Sequence, residues 1–366
     1  MDYRQFIQKP FLKNSVSIFR RRQKNNIDAH IHTEASPDAF LTIDDIIEQA
    51  NQNGLSHVAI TDHNTCIGID NYMRALGLAD DEIYFVKNGV KVICGAEVTC
   101  SYRHKNNYAQ KLHILCYGFN RDPNNQFMQL LDAKYRDYQD TFFTIPETLA
   151  NFSDLYTPLY DKKEFKEYIF LKRLNTHQNT HNSFSNDDVA DYYAFKGISR
   201  QKVLSDISNM SHLFKNRDIM HLDVTTVINA VHNCGGKCIV AHPIKSYKKF
   251  MQKYKCDLAG QWQYTKSMTD KLLALGVDGV ELISVTKKTS EIKKLFNQYY
   301  KNVGFTSYGT DKHDNAEGSP ALGTMAGYNP LCNFKEVIEG MHKQPISSTQ
   351  FSMKKKNLTY SNSKEM

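Results

Sequence analysis

The sequence predicts an α/β protein whose seven strands form a closed or nearly closed barrel. Short apolar runs recur along the chain, helical stretches separate most of them, and a long polar and aromatic interval interrupts this rhythm near the middle. Because a parallel neighbour is reached only through a crossover connection, alternating strands and helices indicate a parallel sheet. The 366 residues, 41% of them hydrophobic, suffice for one such domain with a sizeable insertion.

The predicted strands are short apolar segments, and most of them end in polar residues. They are residues 28–32, 57–61, 91–98, 111–116, 237–241, 279–284 and 305–310. A helix is predicted after the first strand, over residues 42–53. Thr42 is a suitable N-cap, Asp45 stands where a capping carboxylate belongs, and Gly54 follows the last turn.

The strand pattern divides the chain into a barrel, an insertion and two tails. The barrel is predicted to comprise residues 27–119 and 223–343, and its second part begins with a helix over residues 223–233 that Asp223 caps. Residues 120–222 have apolar residues at helical rather than strand spacing, so we expect a mostly helical insertion over the barrel mouth. Residues 1–26 and 344–366 show no convincing period and are predicted to be basic tails.

The formal net charge of +7 comes from the ends of the chain. The N-terminal tail has seven basic residues against one acidic residue, and the C-terminal tail has four against one. The body is therefore slightly acidic, which argues against a nucleic-acid-binding surface across the whole protein. The eight cysteines are scattered without a C-x-x-C pair, and no apolar run suits a signal peptide or a membrane span. We expect a cytoplasmic protein with reduced thiols and no membrane association.

Histidines and carboxylates concentrate where the predicted strands end. His30 and His32 lie at the end of the first strand and are separated by one residue, so both side chains point to the same side of an extended chain. The others are Asp62 and His63 after the second strand, Glu97 in the third, His113 in the fourth, His242 after the fifth, Asp311 and His313 after the seventh, and Asp38 on the loop leaving the first. In a parallel α/β barrel these positions meet on one face.

These residue types together favour a site with more than one metal ion. Clustered imidazoles repel one another when protonated and leave buried lone pairs unpaired when neutral, and metal ions resolve both problems. Mixed histidine and carboxylate ligation without cysteine suits Mn²⁺, Fe²⁺ or Zn²⁺. Nine candidate ligands exceed the need of one ion, so we expect two or three divalent ions and a bridging carboxylate. The candidates are His30, His32, Asp38, His63, Glu97, His113, His242, Asp311 and His313.

The order of these motifs resembles a known family. The series D-x-H-x-H, T-D-H, G-x-E, an isolated strand histidine, A-H-P and G-x-D-x-H is similar to that of the PHP (polymerase and histidinol phosphatase) superfamily over roughly residues 27–343. The runs VADYYAFKGISRQKVLSDI and NAVHNCGGKCIVAHPIK resemble the branch that includes nucleoside 3′,5′-bisphosphate phosphatase and the exoribonuclease RNase AM. The resemblance implies a distorted seven-stranded (β/α)7 TIM-like barrel with a helical insertion.

The resemblance also implies three metal sites. The first uses His30, His32, Glu97 and Asp311, the second uses Glu97, His113 and His242, and the third uses Asp38, His63 and His313. Asp62 would orient neighbouring imidazoles. Lys245 matches a basic family position and is the candidate for binding substrate phosphate. The branch carries an Arg-x-His run near the second helix of the insertion, and the corresponding SFSNDDVADYY contains neither Arg nor His.

These observations predict a hydrolase that cleaves phosphate esters. Clustered divalent ions lower the pKa of a bound water and so supply a hydroxide nucleophile at neutral pH, and His242 or His313 is the candidate acid for the leaving alkoxide. The expected substrate is a small phosphorylated molecule, a nucleotide or a short 5′-phosphorylated RNA, and we expect no obligate protein partner. The alternatives are a small-metabolite phosphatase such as histidinol-phosphate phosphatase, a hydrolase of amides or lactones, and a non-enzymatic, metal-stabilised accessory module.

Overall fold

The computed structural model describes most of the predicted barrel and insertion. The described residues are 26–36, 38–103, 109–175, 186–210, 222–253, 255–283, 291–313, 322–323 and 332–342. The predicted tails therefore lie outside the described residues, apart from Asn26. Among the described residues, no helix is both long and apolar enough to cross a membrane.

A mixed β-sheet forms the centre of the molecule. Its described strands are β1 Ile27–Ile31, β2 His57–Ile60, β3 Tyr84–Lys87, β4 Val90–Arg103, β5 Ala109–Tyr117, β6 Leu222–Asp223, β7 Lys237–Val240, β8 Gly279–Leu282 and β9 Phe305–Tyr308. The spatial order is β1-β2-β4-β5-β7-β8-β9, with β3 and β6 paired to β4. The seven strands on this path are the seven that the sequence predicts.

The prediction of an entirely parallel sheet is wrong at β5, which runs antiparallel to both of its neighbours, β4 and β7. The five residues 104–108 between β4 and β5 are too few for the crossover that a parallel pair requires. The other pairs on the path are parallel. One bridge, between Ile31 and Lys312, connects β1 to the chain that follows β9. The fold is thus α/β with a mixed sheet, and complete closure into a barrel stays a prediction.

Helices surround the sheet and continue beyond it. Their bounds are α1 Ile43–Gln52, α2 Ile67–Ala75, α3 Gln126–Phe152, α4 Lys162–Asn175, α5 Asn186–Phe195, α6 Arg200–Asn209, α7 Val224–Asn233, α8 Pro243–Lys253, α9 Leu258–Ala274, α10 Glu291–Tyr300 and α11 Phe334–His342. The predicted start of α1 is confirmed, because the Thr42 side chain accepts a hydrogen bond from Asp45 N and the Asp45 side chain accepts one from Thr42 N. The predicted start of α7 is also confirmed, since Asp223 accepts a hydrogen bond from Thr225 N.

The two faces of the sheet have separate apolar cores. Val58, Val92 and Val240 belong to the face that packs against the helices. Leu115 belongs to the other face. His113 is two residues from Leu115 on the same strand, so its side chain points to that second face, above the apolar core. Along this second face, the apolar side chains of the core are therefore followed by a polar cluster that includes His113.

The helices α3 to α6 have a core of their own. It contains Leu149, Tyr156, Tyr192 and Tyr193, all fully buried. The 27-residue helix α3 is shared, because its first half contributes Phe127 to the core of the sheet and its second half contributes Leu149 to the helical core. We call α3 to α6 the helical module. The interval 120–222 is thus mostly helical where it is described, and its place as an insertion over the barrel mouth stays a prediction.

Candidate metal centre

The structure brings all nine predicted metal ligands together on one side of the sheet. They fall into three groups, in which the possible ligand atoms lie a few ångströms apart. The first group is His30, His32, Glu97 and Asp311; the second group is Glu97, His113 and His242; the third group is Asp38, His63 and His313. The first two groups have the composition that the family resemblance implies.

Four donor atoms of the first group have the spacing of ligands around one ion. His30 Nε2 lies 3.4 Å from both Glu97 Oε2 and Asp311 Oδ1. His32 Nε2 lies 3.5 Å and 3.3 Å from the same two oxygens. Ligand atoms arranged tetrahedrally at about 2.1 Å from an ion are about 3.4 Å apart. Both Nε2 atoms are buried and have no hydrogen-bond partner among the described residues, so the donor set fits a divalent ion.

Hydrogen bonds behind the first group place a ring proton on Nδ1 of both imidazoles, so that in the neutral rings Nε2 is the nitrogen that can bind a metal ion. His30 Nδ1 lies 3.0 Å from Glu281 Oε1, and an ionised carboxylate only accepts, so Nδ1 carries the proton. His32 Nδ1 lies 3.1 Å from Ser36 Oγ, whose own hydrogen is donated to Asp62 Oδ1 at 2.9 Å. Ser36 can therefore only accept from His32. In both imidazoles the Nε2 lone pair points toward the shared oxygens, as a metal ligand requires.

The second group is built around the other oxygen of Glu97. His113 Nδ1 lies 2.7 Å and His242 Nε2 2.8 Å from Glu97 Oε1. Glu97 is fully buried, so both of its oxygens lie inside the cluster and each belongs to a different group. This carboxylate is therefore placed to bridge two ions, which is the role that the sequence predicts for a shared ligand.

The third group lies at the exposed edge of the cluster. Asp38 Oδ2 is 3.5 Å from His63 Nε2 and 3.6 Å from His313 Nε2. His313 Nδ1 donates a hydrogen bond to the backbone oxygen of Asp311 at 2.8 Å, so Nε2 is the nitrogen that faces Asp38. His32 lies against this group as well, with ring centroids 4.2 Å from those of His63 and His313. His32 thus stands between the first and third groups.

The electrostatics of the cluster favour bound cations. Burial would raise the pKa of Glu97, but His113, His63 and His30 hold it well below its usual value. Burial, reinforced by the nearby His63, lowers the pKa of His32 to about 3, so this ring is neutral at neutral pH. Burial would lower the pKa of His63, yet Glu97 and Asp38 raise it to about 10. Burial would also lower the pKa of His30, but Glu281, Glu97 and Asp311 raise it well above its usual value. The carboxylates thus favour positive charge in the cluster, and bound metal ions can supply that charge in place of protons.

Asp62 lies behind the imidazoles, in agreement with the orienting role that the resemblance implies. It is fully buried and accepts hydrogen bonds from Thr33 N at 2.6 Å, Thr33 Oγ1 at 2.7 Å and Ser36 Oγ. Ser36 Oγ in turn accepts from His63 N at 2.9 Å. Asp62 thus acts on His32 and His63 through Ser36.

The cluster opens into a cavity of about 400 Å³. Lys245 lies at its edge with a side chain that is 67% exposed, and its Nζ is 2.6 Å from Asp311 Oδ2. The cavity is lined by Asp38, His63, His113, His242, Lys245, Asp311 and His313. A molecule in this cavity contacts ligands of all three groups and one lysine.

Sequence reasoning missed Glu281 and Ser36. Glu281 lies in β8, a strand that is buried throughout. Its carboxylate could have been recognised in the sequence, because it interrupts the apolar run GVEL and a buried charge needs a partner. Ser36 offers no comparable signal, because a serine in a polar loop is ordinary.

A further set of possible ligands, His232, Cys238 and Asp278, lies away from the centre. The Asp278 carboxylate already accepts hydrogen bonds from Lys237 Nζ at 2.7 Å and from Cys238 N at 2.8 Å, and it lies 2.8 Å from His232 Nε2. These contacts provide hydrogen-bond partners for both oxygens of the Asp278 carboxylate, and the positive charge of Lys237 disfavours a bound cation. This set is therefore an internal ion-pair network.

The fold and the polar cluster agree with the comparisons to known proteins. The family model for the PHP domain matches residues 28–220, more than half of the chain, so this protein belongs to the PHP domain family. The family and the donor set together indicate divalent metal ions. No curated protein sequence matches the chain.

Two solved structures share the fold. One is a protein named as a metal-dependent phosphoesterase from Bifidobacterium adolescentis, with 18% identity and a TM-score of 0.51, covering 87% of this chain and 96% of that one. The other is named as an amidohydrolase from Chromobacterium violaceum with bound sulfate and no metal; it has 17% identity and a TM-score of 0.51, and covers 86% of this chain and 96% of that one.

Proposed function

We propose that this protein is a metal-dependent phosphoesterase that hydrolyses phosphate esters of nucleotides or of short 5′-phosphorylated RNA. The observation that carries the proposal is the convergence of two buried nitrogens, His30 Nε2 and His32 Nε2, on oxygens of Glu97 and Asp311, with no hydrogen-bond partner for either nitrogen among the described residues. The three groups would hold two or three Mn²⁺, Fe²⁺ or Zn²⁺ ions. Such ions supply a nucleophile by lowering the pKa of a bound water, and they offset the charge on a phosphoryl group.

Residues of the chain complete the chemistry around the cavity. Lys245 places a positive charge at the entrance, next to Asp311, where it can bind a non-bridging phosphate oxygen. His242 and His313 both line the cavity, and their side chains are 15% and 24% exposed. Either ring can reach a leaving oxygen there, so one of them is the proposed acid.

The direction of α3 supports an insertion over the entrance. Phe127, near its start, packs against Phe119, which follows β5 at the end of the sheet opposite the metal centre. Lys134 donates a hydrogen bond to the backbone oxygen of Thr99, two residues beyond Glu97. From Lys134 to Leu149 the helix rises about 22 Å further. This direction supports the proposal that the helical module extends on the side of the metal centre and would cover a nucleotide substrate there.

Membership of the bisphosphate phosphatase and RNase AM branch is part of this proposal and rests on the sequence resemblance in the helical module and around His242. The name of the Bifidobacterium neighbour agrees with a phosphoesterase. The name of the Chromobacterium neighbour is that of an amidohydrolase, so hydrolysis of an amide belongs among the tested reactions. The cavity suits a phosphate ester because the proposed metal ions and Lys245 would place several positive charges around one phosphoryl group.

The proposal is tested by product analysis. The protein is stripped of metal, supplied with Mn²⁺, and incubated separately with adenosine 3′,5′-bisphosphate, a short 5′-phosphorylated RNA, histidinol phosphate and a simple amide. We expect inorganic phosphate or mononucleotides from the first two, and no product after addition of a chelator. Glu97→Gln should be inactive, whereas Glu291→Gln, at an exposed position, should match the wild type. Turnover of histidinol phosphate alone, or of the amide alone, would show that the proposed substrate class is wrong. If none of the four compounds is turned over, the proposed enzymatic activity is refuted.

A further inference from the structure

Glu281 is a buried carboxylate that joins two parts of the metal centre. It lies in the third position of β8, where it is 4% exposed, and both of its oxygens are in use. Oε1 lies 3.0 Å from His30 Nδ1, and Oε2 accepts a hydrogen bond from His242 N at 2.6 Å. His30 belongs to the first group and His242 to the second. Glu281 itself belongs to none of the three groups.

Each of the two hydrogen bonds fixes something that metal binding needs. The bond to Nδ1 of His30 determines which ring nitrogen carries the proton, and so leaves Nε2 free to face Glu97 and Asp311. The bond from the backbone N–H holds His242 at a φ of +25°, a conformation that side-chain-bearing residues rarely adopt. With the backbone held in this way, Nε2 of His242 lies 2.8 Å from Glu97 Oε1.

We propose that Glu281 is a positioning residue that couples the first and second metal groups, because a single carboxylate holds the ring of His30 and the backbone of His242 at the same time. This inference rests on the proposed metal centre. A change at Glu281 should weaken two ions together, although the residue binds neither. A change at His113, which belongs to the second group alone, should affect one ion.

The amide of glutamine has nearly the same shape but cannot make both hydrogen bonds. It offers one acceptor and one donor, whereas His30 Nδ1–H and His242 N–H both require acceptors. If the amide oxygen accepts from His242, the amide nitrogen faces His30 and moves the ring proton to Nε2, where it points at the ion. If the amide is reversed, the backbone of His242 loses its partner. Glu281→Gln therefore disturbs one ligand in either orientation, whereas Glu281→Leu removes both acceptors and so disturbs His30 and His242 together.

The test measures metal binding directly. Metal-free protein is equilibrated with Mn²⁺ over a range of concentrations, and bound ions are counted by dialysis and elemental analysis. We expect Glu281→Leu to bind two ions about 10–100-fold more weakly, the usual effect of removing a residue that orients metal ligands. His113→Ala should weaken one ion. Glu339→Gln should match the wild type, since Glu339 is 51% exposed and pairs with Lys91 at the opposite end of the strands.

The outcomes separate this inference from the function on which it rests. If the wild type binds Mn²⁺ and Glu281→Leu binds it equally well, or loses only one ion, the coupling role is refuted and the metal centre stands. A purely structural carboxylate would lower the melting temperature of the metal-free protein without changing the affinity of the folded form for Mn²⁺. If Glu281→Leu does not fold, Glu281→Asp is measured instead. Its shorter carboxylate cannot reach both partners, and unchanged affinity in this variant would again refute the role. If the wild type binds no Mn²⁺, both proposals fail.

Discussion

His113 Nδ1 lies 2.7 Å from Glu97 Oε1, although the two residues are not directly opposite each other on their antiparallel strands. Glu97 is paired with Leu115, and His113 is paired with Thr99. The contact is therefore diagonal, on one face of the ladder, within the reach of long side chains. Through this diagonal, β5 contributes a ligand even though its carboxyl end points away from the metal centre.

Bound metal should raise the stability of the protein. Ligands that bind only the folded state stabilise it by mass action, by about 2.7 kcal/mol for each ion at a hundred times its dissociation constant. We expect the melting temperature to fall on addition of a chelator and to rise again with Mn²⁺, as measured by differential scanning fluorimetry. In Glu97→Gln most of this rise should disappear, because Glu97 belongs to two groups. A melting temperature that is independent of Mn²⁺ in the wild type would contradict the metal centre.

Lys245 should contribute to substrate binding. Lys245→Ala removes the one lysine among the described residues that line the cavity, so we expect KM for a phosphate ester to increase about 10-fold, equivalent to about 1.4 kcal/mol. Inhibition by inorganic phosphate should weaken by a similar factor, as steady-state kinetics would show. Lys163→Ala is the matched control, since Lys163 is 87% exposed and lies in α4, away from the cavity. If neither KM nor phosphate inhibition changes in Lys245→Ala, Lys245 does not bind phosphate.

The ionised carboxylate of Asp278 should stabilise the folded protein, and this contribution should be lost in acid. Burial would raise the pKa of Asp278, but hydrogen bonds from His232, Lys237 and Cys238 N lower it from 3.8 to about 2. Because the folded value is below the unfolded one, the contribution is present above about pH 4 and is lost as the pH falls toward 2. We expect Asp278→Asn to lower the free energy of unfolding by about 2 kcal/mol at pH 7.

The difference between Asp278→Asn and the wild type should shrink as the pH is lowered, which urea unfolding of the metal-free proteins would measure. Asp154→Asn, at an exposed position, should unfold like the wild type at each pH. A difference that stays constant from pH 7 to pH 2.5 would show that the charge of Asp278 is not the cause.

The helical module should unfold separately from the sheet. Leu149 is fully buried in the core of the module, and Leu149→Ala should cost about 2–5 kcal/mol there. We expect hydrogen exchange to accelerate in α5 and α6, while β4 and β5 keep their protection. Leu171→Ala is the control, as Leu171 is 55% exposed. Equal acceleration in the sheet would show that the two cores form one cooperative unit.

The sequence predicts which of these side chains lie close together because all of them except Asp38 stand at a strand end or at a fixed place on a strand. His30 and His32, one residue apart, must share a side of β1, and the structure places both Nε2 atoms against Glu97. The direction of β5 could not be predicted from a strand count, because an isolated histidine such as His113 fits a parallel strand equally well. Only the short connection before β5 distinguishes the two cases.

The support behind the ligands depends on contacts between distant parts of the chain. Glu281 and His30 are 251 residues apart, and no local pattern connects them. The relation of Ser36 to Asp62 is equally non-local. Residues whose type alone indicates metal chemistry can be identified from the sequence, whereas residues that orient them become visible only when the sheet brings their strands together.

The central claim is that the cluster is a multinuclear metal centre that hydrolyses phosphate esters. The most direct test is one titration of metal-free protein with Mn²⁺, in which bound ions and phosphate released from adenosine 3′,5′-bisphosphate are measured in the same samples. We expect turnover to appear as ions bind and to reach its maximum at two or three ions per chain. Absence of bound ions at saturation, or turnover that is independent of them, would contradict the claim.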